Sequence, residues 1–247
     1  MFVKYLAITF DDKTGSRYTN VKWVIAGAMA LALSFPSYSL YPLAWVATIP
    51  LLLRLVSNPS FKKILLGHFV FFLAYFGLVL YWIPLVIVNY GDVHLLASLG
   101  ILLLLVTMMA VLMLPFSILT WSLARIFNPN IALFASPALW TGSELIRGNF
   151  IFKGFPWGSI GYSQKNFTVL SQAADLGGLY LLSFLVISGG VSIVLLVNKG
   201  NKLVAFINIF LITLAIFYGS YRLMFWQIPT NQTLRATLVQ PGIESKK

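Results

Sequence analysis

The chain has 247 residues, 59% of them hydrophobic and only 9% charged, with a formal net charge of +11 and no cysteine. A soluble domain carries about 25% charged residues, so a mean hydropathy of +0.88 excludes an ordinary soluble fold and predicts an all-α, polytopic membrane protein. The missing thiols exclude disulfides, cysteine-ligated zinc and a sulfur nucleophile. The basic residues sit in short loops between apolar runs, an arrangement that excludes a nucleic-acid partner.

Residues 1–21 read as a cytoplasmic N-terminal tail. The apolar run 5–10 is too short for a signal peptide, and Asp11 and Asp12 stand where a small-residue cleavage site belongs. Apolar runs near the ~20 residues that cross a bilayer core then predict about seven transmembrane helices within residues 22–226. Span one covers about 22–35 and span two about 40–56, joined by the tight turn Pro36-Ser37-Tyr38. Span three, about 64–88, contains Pro84 and is expected to kink there. Span four, about 95–121, is the greasiest stretch and has Pro115 near its end. Spans five, six and seven cover about 131–147, 176–197 and 203–226. Beyond Trp226 the chain turns polar, and residues 234–240 alternate like the first strand of a soluble sheet. A lone strand cannot bury a face, so 227–247 reads as the beginning of a further domain.

The loop charges set an orientation. Lys4, Lys13, Arg17 and Lys22, then Arg54, Lys62 and Lys63, then Arg125, then Lys199 and Lys202 fall on one side if the helices alternate. The loops around Ser37 and Asp92 carry no Lys or Arg, whereas Arg147, Lys153 and Lys165 around the end of span five are the exception. The positive-inside rule places the N-terminus in the cytoplasm and, after an odd number of spans, the C-terminus on the opposite face.

Span five and the loop after it are where chemistry has to be sought. Glu144 and Arg147, spaced i and i+3, share a helix face inside an apolar segment. Two readings are open: both side chains meet lipid headgroups at the end of the span, or Arg147 grips a lipid phosphate while Glu144 holds its guanidinium in place. The loop 154–164, GFPWGSIGYSQ, has too many glycines for a helix and too many large aromatics for a loose linker. It is expected to be a structured re-entrant or interfacial loop, with Trp157, Tyr162 and Gln164 as candidate lipid- or substrate-binding residues. His68 and His94 stand alone, so no metal site is proposed. Asp92 reads as a loop residue and Asp175 as the N-cap of span six. No serine has a histidine and an acid in a recognisable catalytic pattern, and no cofactor is implied.

Several segments in order resemble the membrane domain of the apolipoprotein N-acyltransferases, bacterial inner-membrane enzymes of the nitrilase superfamily. They are Leu33-Ser34-Phe35-Pro36 with Tyr41-Pro42-Leu43-Ala44, Ser136-Pro137-Ala138-Leu139-Trp140 with Glu144-Leu145-Ile146-Arg147-Gly148, and Gly154-Phe155-Pro156-Trp157 with Gly161-Tyr162-Ser163-Gln164, followed by Val239-Gln240 and Ile243. The resemblance implies transfer of an acyl chain from a phospholipid donor to the N-terminal cysteine amine of a diacylated lipoprotein acceptor, at a periplasmic face. It also implies a thioester on a catalytic cysteine, a glutamate base and a lysine at the oxyanion, all within a nitrilase-like domain that begins at the VQ strand and returns to a final transmembrane helix. None of these three maps onto this chain, and Glu244, Lys246 and Lys247 lie ahead of where they would fall. The chain is therefore expected to be inactive alone: a truncated product, a deliberately made fragment, or one half of a split enzyme with a separately encoded nitrilase-like partner. The alternative is a non-catalytic membrane scaffold or small transporter sharing the fold. The single acid–base pair and the lack of repeated halves weigh against a transporter.

Overall fold

Hydrocarbon offers a backbone no water to bond, so apolar segments satisfy their amides as helices. Helices make up every regular element of the computed structural model, which describes residues 20–57, 60–149, 154–225 and 236–239. Span one is α1 (Val21–Leu33), capped by Asn20, whose side chain accepts from the Lys22 N–H at 3.1 Å. Span two is a chain of short pieces: a 3-10 turn Tyr41–Leu43, then α2 (Ala44–Ala47) and α3 (Ile49–Val56). Span three divides into α4 (Phe61–Val79) and α5 (Ile83–Gly91), and span four into α6 (Leu95–Leu112) and α7 (Leu114–Ile126). The kink expected at Pro84 is thus a full break. Pro84 and Pro115 each sit in the first turn of a new helix, where a missing N–H has no intrahelical partner to lose. Span five is α8 (Pro129–Asn149), with Pro137 in its interior. A second 3-10 segment, Ile160–Asn166, and the short α9 (Thr168–Ser171) lead into α10 (Ala174–Val197) and α11 (Lys202–Phe225).

The chain is an all-α membrane protein. Among the described residues four runs are long and apolar enough to cross a membrane: Phe61–Val79, Leu95–Ile126, Ala174–Val197 and Lys202–Phe225. α10 is the mast of the bundle, with 67% of its apolar window buried against 22% for span four, which faces outward. α8 packs between α7 and α10 and buries a polar face of Asn130, Ser136, Ser143, Glu144 and Arg147. The break between α6 and α7 is bridged by His68 of α4. Its Nε2 lies 2.7 Å from the Ala110 carbonyl and its Nδ1 2.7 Å from Ser117 Oγ. A carbonyl only accepts, so Nε2 carries the proton and Nδ1 accepts from the Ser117 hydroxyl.

Cross-contacts sort the two ends of the bundle. Arg54 donates to the Lys63 carbonyl at 3.0 and 2.8 Å, Phe61 packs on Trp121, and the Asn201 N–H donates to Asn130 Oδ1 at 3.0 Å. These contacts gather the exposed Lys62, Lys63, Arg125, Lys199 and Lys202 at one end, the basic end. The opposite, loop end holds residues 154–166. One sequence expectation changes here, that for Asp175, whereas Asp92 lies outside the helices as expected. Asp175 does not cap α10, whose N-cap is Ala173; it accepts from Tyr218 and pairs with Arg222 of α11. Asp92 is the left-handed C-cap of α5, at φ 53, a conformation its short polar side chain tolerates. Among the described residues there is no strand: 236–239 carries no regular structure, and Leu238 and Val239 are exposed. The rest of the predicted 234–240 strand, the tail 1–19 and Lys153 lie outside the described residues.

Candidate functional site

Trp140, Glu144 and Arg147 recur at i, i+4 and i+7 along α8, which puts them on one face, and all three are buried. Glu144 Oε1 accepts two hydrogen bonds, from Trp140 Nε1 at 2.8 Å and from the Ile160 N–H at 2.8 Å. Ile160 opens the 3-10 segment, and its N-cap Ser159 offers no side-chain cap. Glu144 therefore caps that segment from a different helix, supplying the acceptor that the chain itself does not. Arg147 works on the preceding turn. Its Nη1 donates to the carbonyls of Phe155, at 2.9 Å, and of Trp157, and its Nη2 donates to Ser159 Oγ at 3.0 Å. The guanidinium lies over the Phe76 ring, 5.2 Å from its centre.

The two side chains make no direct ion pair with each other. The loop end is folded around them instead: one end of the turn hangs on Arg147, the other on Glu144. Arg147, in the last turn of α8, is only 1% exposed, so protein encloses it and it is not open to lipid headgroups. Its Nη1 and Nη2 donors already serve the loop. The end-of-span position expected for it is where the helix puts it, but a direct Glu144 hold on its guanidinium is not what the geometry provides.

Other spans pin the same loop. Tyr75 of α4 donates to the Gly158 carbonyl at 2.8 Å. Gly158 has φ +73, and a Cβ there would meet the Phe76 ring at 3.1 Å, so this turn needs glycine on both counts. The Gly161 N–H donates to Ser183 Oγ of α10 at 3.0 Å. Gln164 is fully buried: its Oε1 accepts from Trp45 Nε1 at 3.0 Å, and its Nε2 donates to Ser163 Oγ at 2.7 Å. Trp157 and Tyr162 take the opposite course, about half exposed at 49% and 44%. Trp157 packs on Trp82, ring centres 5.0 Å apart, and beside Phe155. Together with Phe35, Tyr38, Val79 and Trp82 they wall a cavity of about 430 Å³, a size and lining suited to an apolar ligand.

All five sequence candidates thus belong to one loop system, but they divide into two kinds. Glu144, Arg147 and Gln164 are internal struts; Trp157 and Tyr162 face a cavity. Sequence reasoning missed Trp45, Tyr75, Trp82 and Ser183. Trp45, next to the Tyr41-Pro42-Leu43-Ala44 motif, was the one with a local signal. His94, left unassigned, caps α6 by accepting from the Leu96 N–H at 3.3 Å.

Residues 27–192 match the family model described as the apolipoprotein N-acyltransferase N-terminal domain. The chain belongs to the apolipoprotein N-acyltransferase family. The apolipoprotein N-acyltransferase of Geobacter metallireducens is 41% identical over 164 residues, which are 66% of this chain and 30% of that protein. That of Vibrio cholerae is 33% identical over 216 residues, 86% of this chain and 41% of that protein. That of Aquifex aeolicus is 28% identical over 222 residues, 90% of this chain and 47% of that protein. The chain therefore spans between about a third and a half of the N-acyltransferases it matches. The family's matched region includes α8, the loop and its struts, so the whole loop end lies inside the part of this chain that the N-terminal domain model covers.

Proposed function

We propose that this chain is the membrane part of a phospholipid-to-lipoprotein N-acyltransferase in the bacterial inner membrane, with its basic end cytoplasmic and its loop end periplasmic. The cavity walled by Trp157 and Tyr162 receives an acyl chain there. One observation carries this reading: two buried charges shape a single loop, and the exposed aromatics of that loop line the cavity. Burying a charge in a membrane is costly and such groups usually serve a site. Here they serve it as positioning residues, through the backbone they hold.

The acceptor is an apolipoprotein that receives an N-acyl group, as the names of its relatives suggest; the proposed donor is a phospholipid and the proposed acceptor is diacylated. The acyl transfer itself needs a nucleophile that these 247 residues do not contain, since thioester chemistry requires a thiolate. The covalent step therefore belongs to residues outside this sequence, in a nitrilase-like part joined to it or bound to it. The test uses the chain in liposomes with phospholipids brominated along the acyl chain. Trp157 fluorescence, read in a variant whose other tryptophans are phenylalanine, is expected to be quenched, and Tyr162→Ala is expected to weaken that quenching. No N-acylated lipopeptide is expected from the chain alone. Unquenched Trp157, or turnover without another polypeptide, overturns the reading.

A further inference from the structure

Away from the loop, α10 begins with a fault. Gly177 (φ −150, ψ 19) and Gly178 (φ 64, ψ −161) interrupt its helix, and the second lies in a region that essentially only glycine occupies. The turn before the fault is thereby released from the helical path, and Asp175 reaches α11. Tyr218 Oη lies 2.9 and 2.8 Å from its two carboxylate oxygens, and Arg222 Nη2 lies 3.0 Å from Oδ2. Beside this clasp runs a groove of about 400 Å³ between α10 and α11, walled by Leu176, Leu181, Phe184, Leu214, Phe217 and Tyr221. It shares no wall residue with the cavity at Trp157.

Three features decide what fits. The walls are hydrocarbon and aromatic ring, so the occupant is apolar along its length. Only 28% of the α11 apolar window is buried, so the groove opens sideways toward lipid. The clasp presents both signs of charge at once, with Arg222 22% and Asp175 39% exposed at the side chain. A glycerophospholipid with a zwitterionic head combines a long apolar tail with an anion and a cation a few bonds apart, and it complements each of these features. We propose that the groove between α10 and α11 is a phospholipid site, one acyl chain lying along Leu181 and Leu214, the phosphate toward Arg222 and the ammonium toward Asp175. This lipid is a resident that joins spans six and seven, distinct from the substrate chain at Trp157, and the proposal stands independently of the function proposed above.

The test reconstitutes the full chain in liposomes containing phosphatidylethanolamine with a photoactivatable acyl chain and maps the labelled peptides. Label is expected to concentrate on the groove walls about tenfold over the peptide around Phe134, an exposed position on α8. Leu214→Trp, which fills the groove from a half-exposed position, is expected to remove that excess without moving the thermal midpoint. Leu211→Phe is the second filling variant should the first not fold. Asp175→Asn is expected to abolish a preference for phosphatidylethanolamine over phosphatidylglycerol while leaving the tail contact. Uniform labelling of all lipid-facing helices, unchanged by either filling variant, means annular contact only and overturns the proposal. Cross-links between two copies across the groove overturn it as well, because a protein surface is then the occupant.

Discussion

The two ends of the bundle use the same side chain in opposite ways. At the basic end Arg125 is exposed and lies across the Trp121 ring, 5.4 Å from its centre. At the loop end Arg147 is buried and gathers two carbonyls and a hydroxyl from one turn. A guanidinium at the water edge marks topology and adds little to stability. The same group in the interior becomes the template on which a turn without regular secondary structure is folded. Arg54 shows that burial, rather than the end of the bundle, makes the difference: it is 5% exposed at the basic end and fastens the α3–α4 connection through the Lys63 carbonyl.

Removing the template is the strongest way to break this contrast. Arg147→Gln strips most of the donors from the turn and removes the positive charge that offsets buried Glu144, a loss of about 3–5 kcal/mol. It is read as a lowered unfolding midpoint in detergent, and an unchanged midpoint would erase the distinction between the two ends. Arg147→Lys is expected to recover only part of the loss, since a point charge cannot serve three acceptors in a planar fork. Next in size is Glu144→Gln, which keeps an oxygen for Trp140 and Ile160 but leaves the guanidinium without a counter-charge, at about 2 kcal/mol. Combined with Arg147→Gln, the two losses should fall short of adding, because both act on one loop. Tyr75→Phe removes a single neutral donor from the Gly158 carbonyl and should cost about 1 kcal/mol, seen most directly as faster amide exchange in residues 158–162. Smallest is Arg125→Gln, expected to shift stability by no more than about 0.5 kcal/mol.

Much of the architecture was legible because bilayer length and backbone satisfaction leave few options. Each predicted span corresponds to one helix or to consecutive helices divided at a proline or a short turn, and the Gly/Pro/aromatic composition of 154–164 correctly marked a structured loop. What sequence could not supply was the direction in which that loop folds. Counting apolar residues puts Arg147 at the end of a span, hence near headgroups; the structure places the loop backbone over it and closes it in. The remaining struts were invisible for a related reason. Tyr75 is 83 residues from Gly158 and Trp45 is 119 from Gln164, and no local pattern announces a hydrogen bond made across the bundle. Tyr75 in particular sits among phenylalanines and looks like one more core aromatic.

The break between α6 and α7 has a consequence for the kind of bilayer this protein suits. Residues 95–126 form a 32-residue apolar run, which as one straight rod would be about 48 Å long, well beyond a hydrocarbon slab of about 30 Å. Divided at Met113 and bridged there by His68, the run consists of two rods whose junction is held against α4 from both sides. Excess length is then taken up by tilt on either side of the joint instead of by stretching the surrounding lipid. The joint, rather than the loop end, is therefore where a run this long is fitted to the slab.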